Sequence, residues 1–310
     1  MIDACDSCLR RSYELAAAAG SSVRSAPLDC DAACAHSESF PAPLRELPQP
    51  PAVLYATRLD LVARIDEPVA VVIGSRRPSE YGRTVAYSLA RGLGASGVPV
   101  VSGLALGIDA IAHRGCLDAG GRTIAVLANG VDVAYPRTNR SLYQRIREHG
   151  AIVSEMPPGS RPCRWLFPAR NRIMAALGTV TVVVEAAQRS GTLITADSAA
   201  DLGRDVAAVP GQVTIAAAAG TNSLIRNGAA LVTDAQDVLD LLYGVGAREV
   251  PAEPAPALGA DERLVLEAVA QGGGIHELGV PAATVRATLA RLERHGLVRR
   301  AASGAYVPAG

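Results

Sequence analysis

Residues Val100 to Gly130 read VVSGLALGIDAIAHRGCLDAGGRTIAVLANG, and this stretch decides the fold. Two short apolar runs rich in β-branched residues, VPVVSG and TIAVLANG, enclose a segment with helical spacing through Ile111 to Ala119. Strand, helix and strand in that order make a βαβ unit, the connection that joins parallel strands. The first strand runs straight into Ser102-Gly103 and then Gly107-Ile108-Asp109. Small residues between a strand and a helix leave backbone N–H groups facing a ligand. Asp109 and His113 lie four apart and share a helical face. A hydrolytic dyad would use both; the reading adopted is that Asp109 holds the turn and His113 is a hydrogen-bonded packing residue.

The same alternation continues on both sides. VAVVIGS is a strand, and Tyr81–Gly94 follows it as a helix with Val85, Leu89 and Leu93 on one face. GAIVSE, TVTVVVEA and DVAAVPG are further strands, and Asn139–Glu148, Arg170–Leu177 and Thr195–Leu202 are helical. Strands apolar on both faces, alternating with helices, predict a parallel sheet covered on both sides. The expected fold class is α/β, a Rossmann-like doubly wound sheet over residues 51–243.

The flanks read differently. Residues 1–50 are rich in Ala, Ser and Pro and predict a short Cys-bearing segment, poorly ordered or holding one helix about Ser7 to Ala19. Residues 244–259 have linker composition. Residues 260–310 give two helices, the second with Val285, Leu289 and Leu292 on one face and Gly296 as its stop, then two short strands about Ser303-Gly304. That order predicts a small C-terminal winged-helix domain.

The chain has 310 residues, no net charge, and no lysine, so all 30 of its basic residues are Arg. Each cation is therefore a planar fork suited to phosphate. Between Pro68 and Gln212, 16 Arg stand against 10 acids, an excess of six. Without Lys no P-loop can form, and G-x-G-x-x-G does not follow the first strand, which argues against NAD or FAD. No apolar run approaches the ~20 residues of a membrane span. The first residues lack the basic-then-apolar pattern of a secretory signal. The Cys usage suits a reduced cytoplasm, the expected location.

In open α/β sheets, ligands sit beyond the carboxyl ends of the strands. Here those ends carry Gly74-Ser75-Arg76-Arg77, the Gly103 to Gly107 loop, Asn129-Gly130, Ser154-Glu155, and Glu185 leading to Ser190-Gly191-Thr192. Together they predict an anion-binding rim. The stretch RPCRWLFPARNR, Arg161 to Arg172, adds four Arg, no acid, the only Trp (Trp165) and one of two Phe (Phe167). Single-stranded nucleic acid needs this mixture, because bases stack on rings while guanidiniums hold phosphates. Arg170, Asn171 and Arg172 belong to the same candidate surface. Cys5-x-x-Cys8 and Cys30-x-x-x-Cys34, followed by His36, have spacings compatible with zinc. No flanking strand signal supports a zinc ribbon, so these four Cys stand as weak candidates and the expectation is no metal and no cofactor.

The motifs SGLALGIDAIAH, TIAVLANGVDVAYPRTNRSLYQRI, GAIVSEMPPG, FPARNRIMAALG, VVVEAAQRSGTLITADSAADLGRDVAAVPG and GTNSLIRNGAALV resemble the DprA (Smf) family. These are DNA-processing proteins of bacterial natural transformation. The match runs in unbroken order from about Pro50 to Tyr243. It implies a non-enzymatic Rossmann-like domain that binds and protects incoming single-stranded DNA, forms homodimers, and loads RecA for recombination in competence. By motif, Ser75 and Arg76, Gly103 and Gly107, and Phe167 to Arg172 would line the DNA groove. Glu185 with Ser190, Gly191 and Thr192 would shape the same pocket. The N-terminus departs from the pattern: many members carry a helical domain where this chain has its Cys-bearing segment.

A rival reading is a nucleotide-processing enzyme of the same superfold, phosphoribohydrolase-like. Its P-G-G-x-G-T-x-x-E signature has only EAAQRSGTLITA as a counterpart here, with Glu185 before the Gly-Thr and no Glu close after it. A transcriptional regulator acting through the C-terminal helices is weaker. Residues 261–310 hold six Arg against five acids, a poor footprint for duplex DNA.

Overall fold

In the computed structural model, which describes residues 2–21, 30–63, 65–251, 259–272, 280–294, 297–301 and 304–308, the apolar runs become strands of one ten-stranded sheet. Along the chain come β1 (Ile2–Asp3), α1 (Asp6–Ala18), β2 (Asp31–Cys34), α2 (Ala42–Arg45), β3 (Val53–Ala56) and α3 (Asp60–Ala63). Then follow β4 (Ala70–Ile73), α4 (Glu80–Ala95), β5 (Val100–Ser102), α5 (Ile108–Asp118), β6 (Thr123–Val126), α6 (Arg140–His149) and β7 (Ala151–Ser154). The series ends with α7 (Leu166–Leu177), β8 (Val180–Val183), α8 (Leu193–Asp201), β9 (Asp205–Ala208), α9 (Ala219–Arg226), β10 (Ala230–Leu231) and α10 (Ala235–Tyr243).

The strand order is β1-β2-β3-β7-β6-β5-β4-β8-β9-β10. From β7 to β10 every pair is parallel. β3 alone runs against its neighbours β2 and β7. The chain winds outward from β4 to β7 and then returns to place β8 on the other side of β4, so the topological switch point lies between β4 and β8. Such a point opens a crevice at the carboxyl ends of its strands.

Central strands are buried on both faces because both faces are apolar: every residue of β4, β5, β6, β7 and β8 is buried. One face packs Val71, Ile73 and Val183 against Ile173, Met174 and Leu177 of α7. The other packs Val72 and Val182 against Leu89 and Leu93 of α4 and Ala112 of α5. Burying one such aliphatic side chain contributes about 1.5–3 kcal/mol. Helix α4 is capped by Ser79, whose Oγ accepts from Gly82 N–H.

The N-terminal segment departs from the expectation of disorder or one helix. It supplies α1 and also β1 and β2, which extend the sheet beyond β3. Its strand β2 is DAAC, without a β-branched residue, and is ordered by four paired positions with Val53–Ala56. Helix α5 begins at Ile108, three residues before its sequence-based start.

Residues 1–251 form one compact unit and 252–310 another. Gly244–Pro251, read as the start of a linker, are tied to α10. Arg248 lies over Tyr243, and Gln236 bonds both Arg248 O and Val250 N–H. The second unit holds α11 (Ala260–Ala270), α12 (Ala282–Arg294) and an antiparallel pair, β11 (Val298–Arg300) with β12 (Tyr306–Pro308). Val265, Val269, Val285, Leu289, Leu292 and Val298 make its core. Gly296, Ser303 and linker residues 252–258 lie outside the described residues. Among the described residues no helix is long and apolar enough to cross a membrane.

Candidate nucleic-acid interface

The ends of β4, β5 and β8 are fastened together through one residue. Ser75 N–H donates to Glu185 O at 2.7 Å, and Ser75 O accepts from Ile108 N–H at 3.1 Å. Gly107, with φ of 81°, makes this approach possible: a Cβ there would stand 2.2 Å from Ser75 O. Thr192 Oγ1 donates to Gly74 O at 3.2 Å, and Thr192 N–H donates to Ser190 Oγ. Asn171 Nδ2 reaches Gly191 O at 3.5 Å. These contacts draw the ends of β4, β5 and β8 around one pocket of about 800 Å³, lined by Ser75, Arg76, Phe167, Arg170, Asn171 and the Ser190 to Thr192 loop, while Asn129-Gly130 and Ser154-Glu155 of the predicted rim do not line it.

The pocket wall carries a stacked pair. Arg76 is exposed, and its guanidinium carbon lies 5.4 Å from the centroid of the half-buried Phe167 ring. Tyr135, which precedes the cis-proline Pro136, sets its own ring 6.0 Å from Phe167 at 43°. Arg76, Phe167 and Tyr135 also line a second recess of about 70 Å³ together with Gly103. Arg77 and Arg164, both exposed, join the large pocket.

Other predicted residues serve the architecture instead. Arg170 is 4% exposed; its Nη1 donates to Gly103 O at 2.9 Å and to Val126 O. Burial pulls its guanidinium down to about 10, opposed by Asp109. A Cβ on Gly103 would meet that guanidinium at 2.3 Å, so a side chain there would have to displace it. Arg172 is committed to Glu155 in a bidentate pair of 3.0 and 2.7 Å and to Gln49 O. Glu185, 5% exposed, accepts from Ser79 N–H and Ser79 Oγ at the start of α4. Trp165 is 46% exposed at the start of α7 and does not line the pocket.

Asp109 accepts from Gly103 N–H at 3.2 Å and Ala105 N–H at 3.4 Å, so it holds the β5–α5 loop. Burial raises its carboxyl, opposed by Arg170 and the two N–H groups. His113 is fully buried; Nδ1 lies 2.6 Å from Thr123 Oγ1, and burial lowers the imidazole to about 3. Their separate bonding leaves no dyad facing the pocket.

Arg77 belongs to the predicted rim and Arg164 to the Arg161 to Arg172 stretch, whereas Tyr135 is a pocket residue that the sequence reading does not name. The signal for Tyr135 was an aromatic beside proline in a chain with few aromatics. For Arg170 the signal was spacing: it stands four residues from both Leu166 and Met174, on the buried face of α7. Among the cysteines, the structure gathers Cys5, Cys8 and Cys34 with His36 and leaves Cys30 outside that group.

The family model for DNA recombination-mediator protein A matches residues 31–243. A putative DNA processing protein DprA from Mycobacterium tuberculosis is 46% identical over 261 residues, covering 80% of this chain and 66% of that protein. DNA processing protein DprA from Streptococcus pneumoniae is 42% identical over 203 residues, covering 65% of this chain and 71% of the relative. The crystal structure of DprA from that organism superposes with a TM-score of 0.65 at 40% identity, over 68% of this chain and 74% of its own. DNA processing protein A from Helicobacter pylori, described for its unique single-stranded DNA binding mode, gives 0.59 at 32% identity, over 66% and 92%. With the family pattern laid over strands β2 to β10 and the rim at their ends, the chain belongs to the DNA recombination-mediator protein A family.

Proposed function

We propose that this chain binds single-stranded DNA at the β4–β8 crevice without base specificity, protects it, and loads RecA onto it for recombination and natural transformation. The observation that carries the reading is the exposed stack of Arg76 on Phe167, flanked by Tyr135 and by Arg77 and Arg164. Aromatic faces accept any base and guanidiniums take phosphate oxygens, so the surface suits a flexible single strand. The Helicobacter pylori relative supports the same ligand. RecA loading, homodimer formation and a winged-helix role for residues 260–310 rest on the family resemblance.

No catalytic step is proposed. Asp109, the one acid lining the pocket, and Glu185 at the end of β8 are both occupied by N–H or O–H donors. An N-glycosidic hydrolysis would need a free carboxylate there. The test is a gel shift with single- and double-stranded oligonucleotides over a salt series. Single strands should bind tighter, with log affinity falling at about −0.7 per phosphate neutralised for each unit of log salt. Equal affinity for duplex, or release of free base from nucleoside monophosphates, would overturn the reading.

A further inference from the structure

Four metal-ligating side chains from two distant stretches meet at the N-terminal edge of the sheet. Cys5 immediately precedes α1 and Cys8 lies in its first turn, while Cys34 closes β2 and His36 stands in the turn that follows. Their ligand atoms all lie within 4.8 Å of one another. His36 Nδ1 is 3.5 Å from Cys5 Sγ, 3.5 Å from Cys8 Sγ and 3.8 Å from Cys34 Sγ. Cys34 Sγ and Cys5 Sγ are 3.9 Å apart.

Those separations have a common explanation. With Zn–S near 2.3 Å and Zn–N near 2.0–2.1 Å, the edges of a tetrahedral site come to about 3.8 Å between sulfurs and about 3.5 Å between sulfur and nitrogen. Hydrogen bonding among the four groups does not account for them. A ring nitrogen carries one proton or one lone pair, yet three sulfurs crowd this one. We propose that Cys5, Cys8, Cys34 and His36 hold one structural zinc ion, with three thiolates and one imidazole completing its tetrahedron.

The surroundings support the same centre. Cys5 N–H points at Cys34 Sγ from 3.5 Å, an outer hydrogen bond of the kind that orients a thiolate ligand. Ser37 fixes the turn carrying Cys34 and His36: its Oγ accepts from Cys34 N–H and donates to Cys34 O. Three thiolates select zinc over harder cations, and four protein ligands leave no open position for catalysis. Cys30 is not among the four ligand groups that meet here.

The metal gives the start of α1 an anchor to the end of β2. Strand β1 is only two residues long, so the start of α1 is otherwise tied to β2 by little backbone pairing. Further along, Ala16 of α1 packs with Ala128, Met156 and Leu166, and Phe167 lies against that cluster. The ion thus secures the helix that backs the proposed stacking platform.

Metal analysis of the full chain, purified without chelator under reducing conditions, should find one zinc per chain. Cys8→Ser and Cys34→Ser should bring it near zero, while Cys30→Ser keeps it. Because the first two variants could misfold, the unaltered chain is also stripped and titrated anaerobically with Co²⁺. Thiolate-to-cobalt charge-transfer bands and tetrahedral d–d bands should saturate at one equivalent, vanish on adding Zn²⁺, and persist in Cys30→Ser. A metal-free protein without these bands, or a Cys5–Cys34 disulfide in the reduced preparation, would overturn the proposal. None of these readouts involves DNA, so the zinc site and the proposed function are tested apart.

Discussion

The Arg76 guanidinium lies over the Phe167 ring at 5.4 Å from its centroid, joining a phosphate-seeking group to a base-stacking face on one pocket wall. The two residues should fail in different ways. Phe167→Ala should cost about 1–3 kcal/mol of single-strand affinity and leave the salt slope unchanged, because no cation is lost. Arg76→Ala should weaken binding and reduce the slope by about 0.7. Affinities measured across a salt series, beside a melting curve for each variant, separate the two. A Phe167→Ala protein that binds normally when folded would end the stacking role.

Arg170 should behave as part of the frame. Its charge faces Gly103 O, Val126 O and Asp109, with almost no exposure. Removing one member of a buried charged set costs about 3–5 kcal/mol. Arg170→Met should therefore lower unfolding stability on that scale in denaturant titration. If stability is unchanged and only DNA binding falls, Arg170 reaches the ligand after all.

His113 gives the acid side of stability a defined sign. Burial holds its folded pKa at about 3, against about 6.5 for an unfolded histidine. Between those values the unfolded chain takes up a proton that the folded chain refuses, so stability falls as pH falls, by at most about 1.4 kcal/mol per pH unit. Asp109 acts in the opposite direction, since burial raises its carboxyl in the folded state. Comparison with His113→Gln isolates the histidine. Urea titrations at pH 7 and pH 5 should show the unaltered protein losing more stability than the variant; parallel losses would refute the assignment.

Truncation after Pro251 should leave single-strand affinity within a few-fold, because the rim is built wholly from residues of the first unit. Ending the chain at Tyr243 should additionally lower the melting temperature. That cut removes Arg248 from its place over Tyr243 and Val250 from its contact with the apolar cluster beneath α4. Equal melting temperatures for the two truncations would show that residues 244–251 contribute nothing.

The parallel sheet was legible because its strands are apolar on both faces, as in Ala70–Ile73 and Val180–Val183, and because helices separate them. The rim was legible for a related reason: topology puts the ends of β4, β5 and β8 on one edge, whatever the loops do. The sheet extension was hidden, since Asp31–Cys34 has weak strand character and depends on pairing with Val53–Ala56, more than fifteen residues away. The arginines were hidden as well. Arg76, Arg170 and Arg172 look alike in a list of residues, and tertiary partners alone make one exposed, one buried and one committed to Glu155.

Helix α7 carries Phe167 toward Arg76, Arg170 toward Gly103 O, Asn171 toward Gly191 O and Arg172 toward Glu155. A single turn and a half of helix thus touches four loops, and only part of it faces the crevice. Genetic screens for alleles that lose DNA handling would collect hits along the whole of that stretch. A footprint drawn from such hits would be too wide, because scaffold defects and contact defects look the same until each allele's stability is measured.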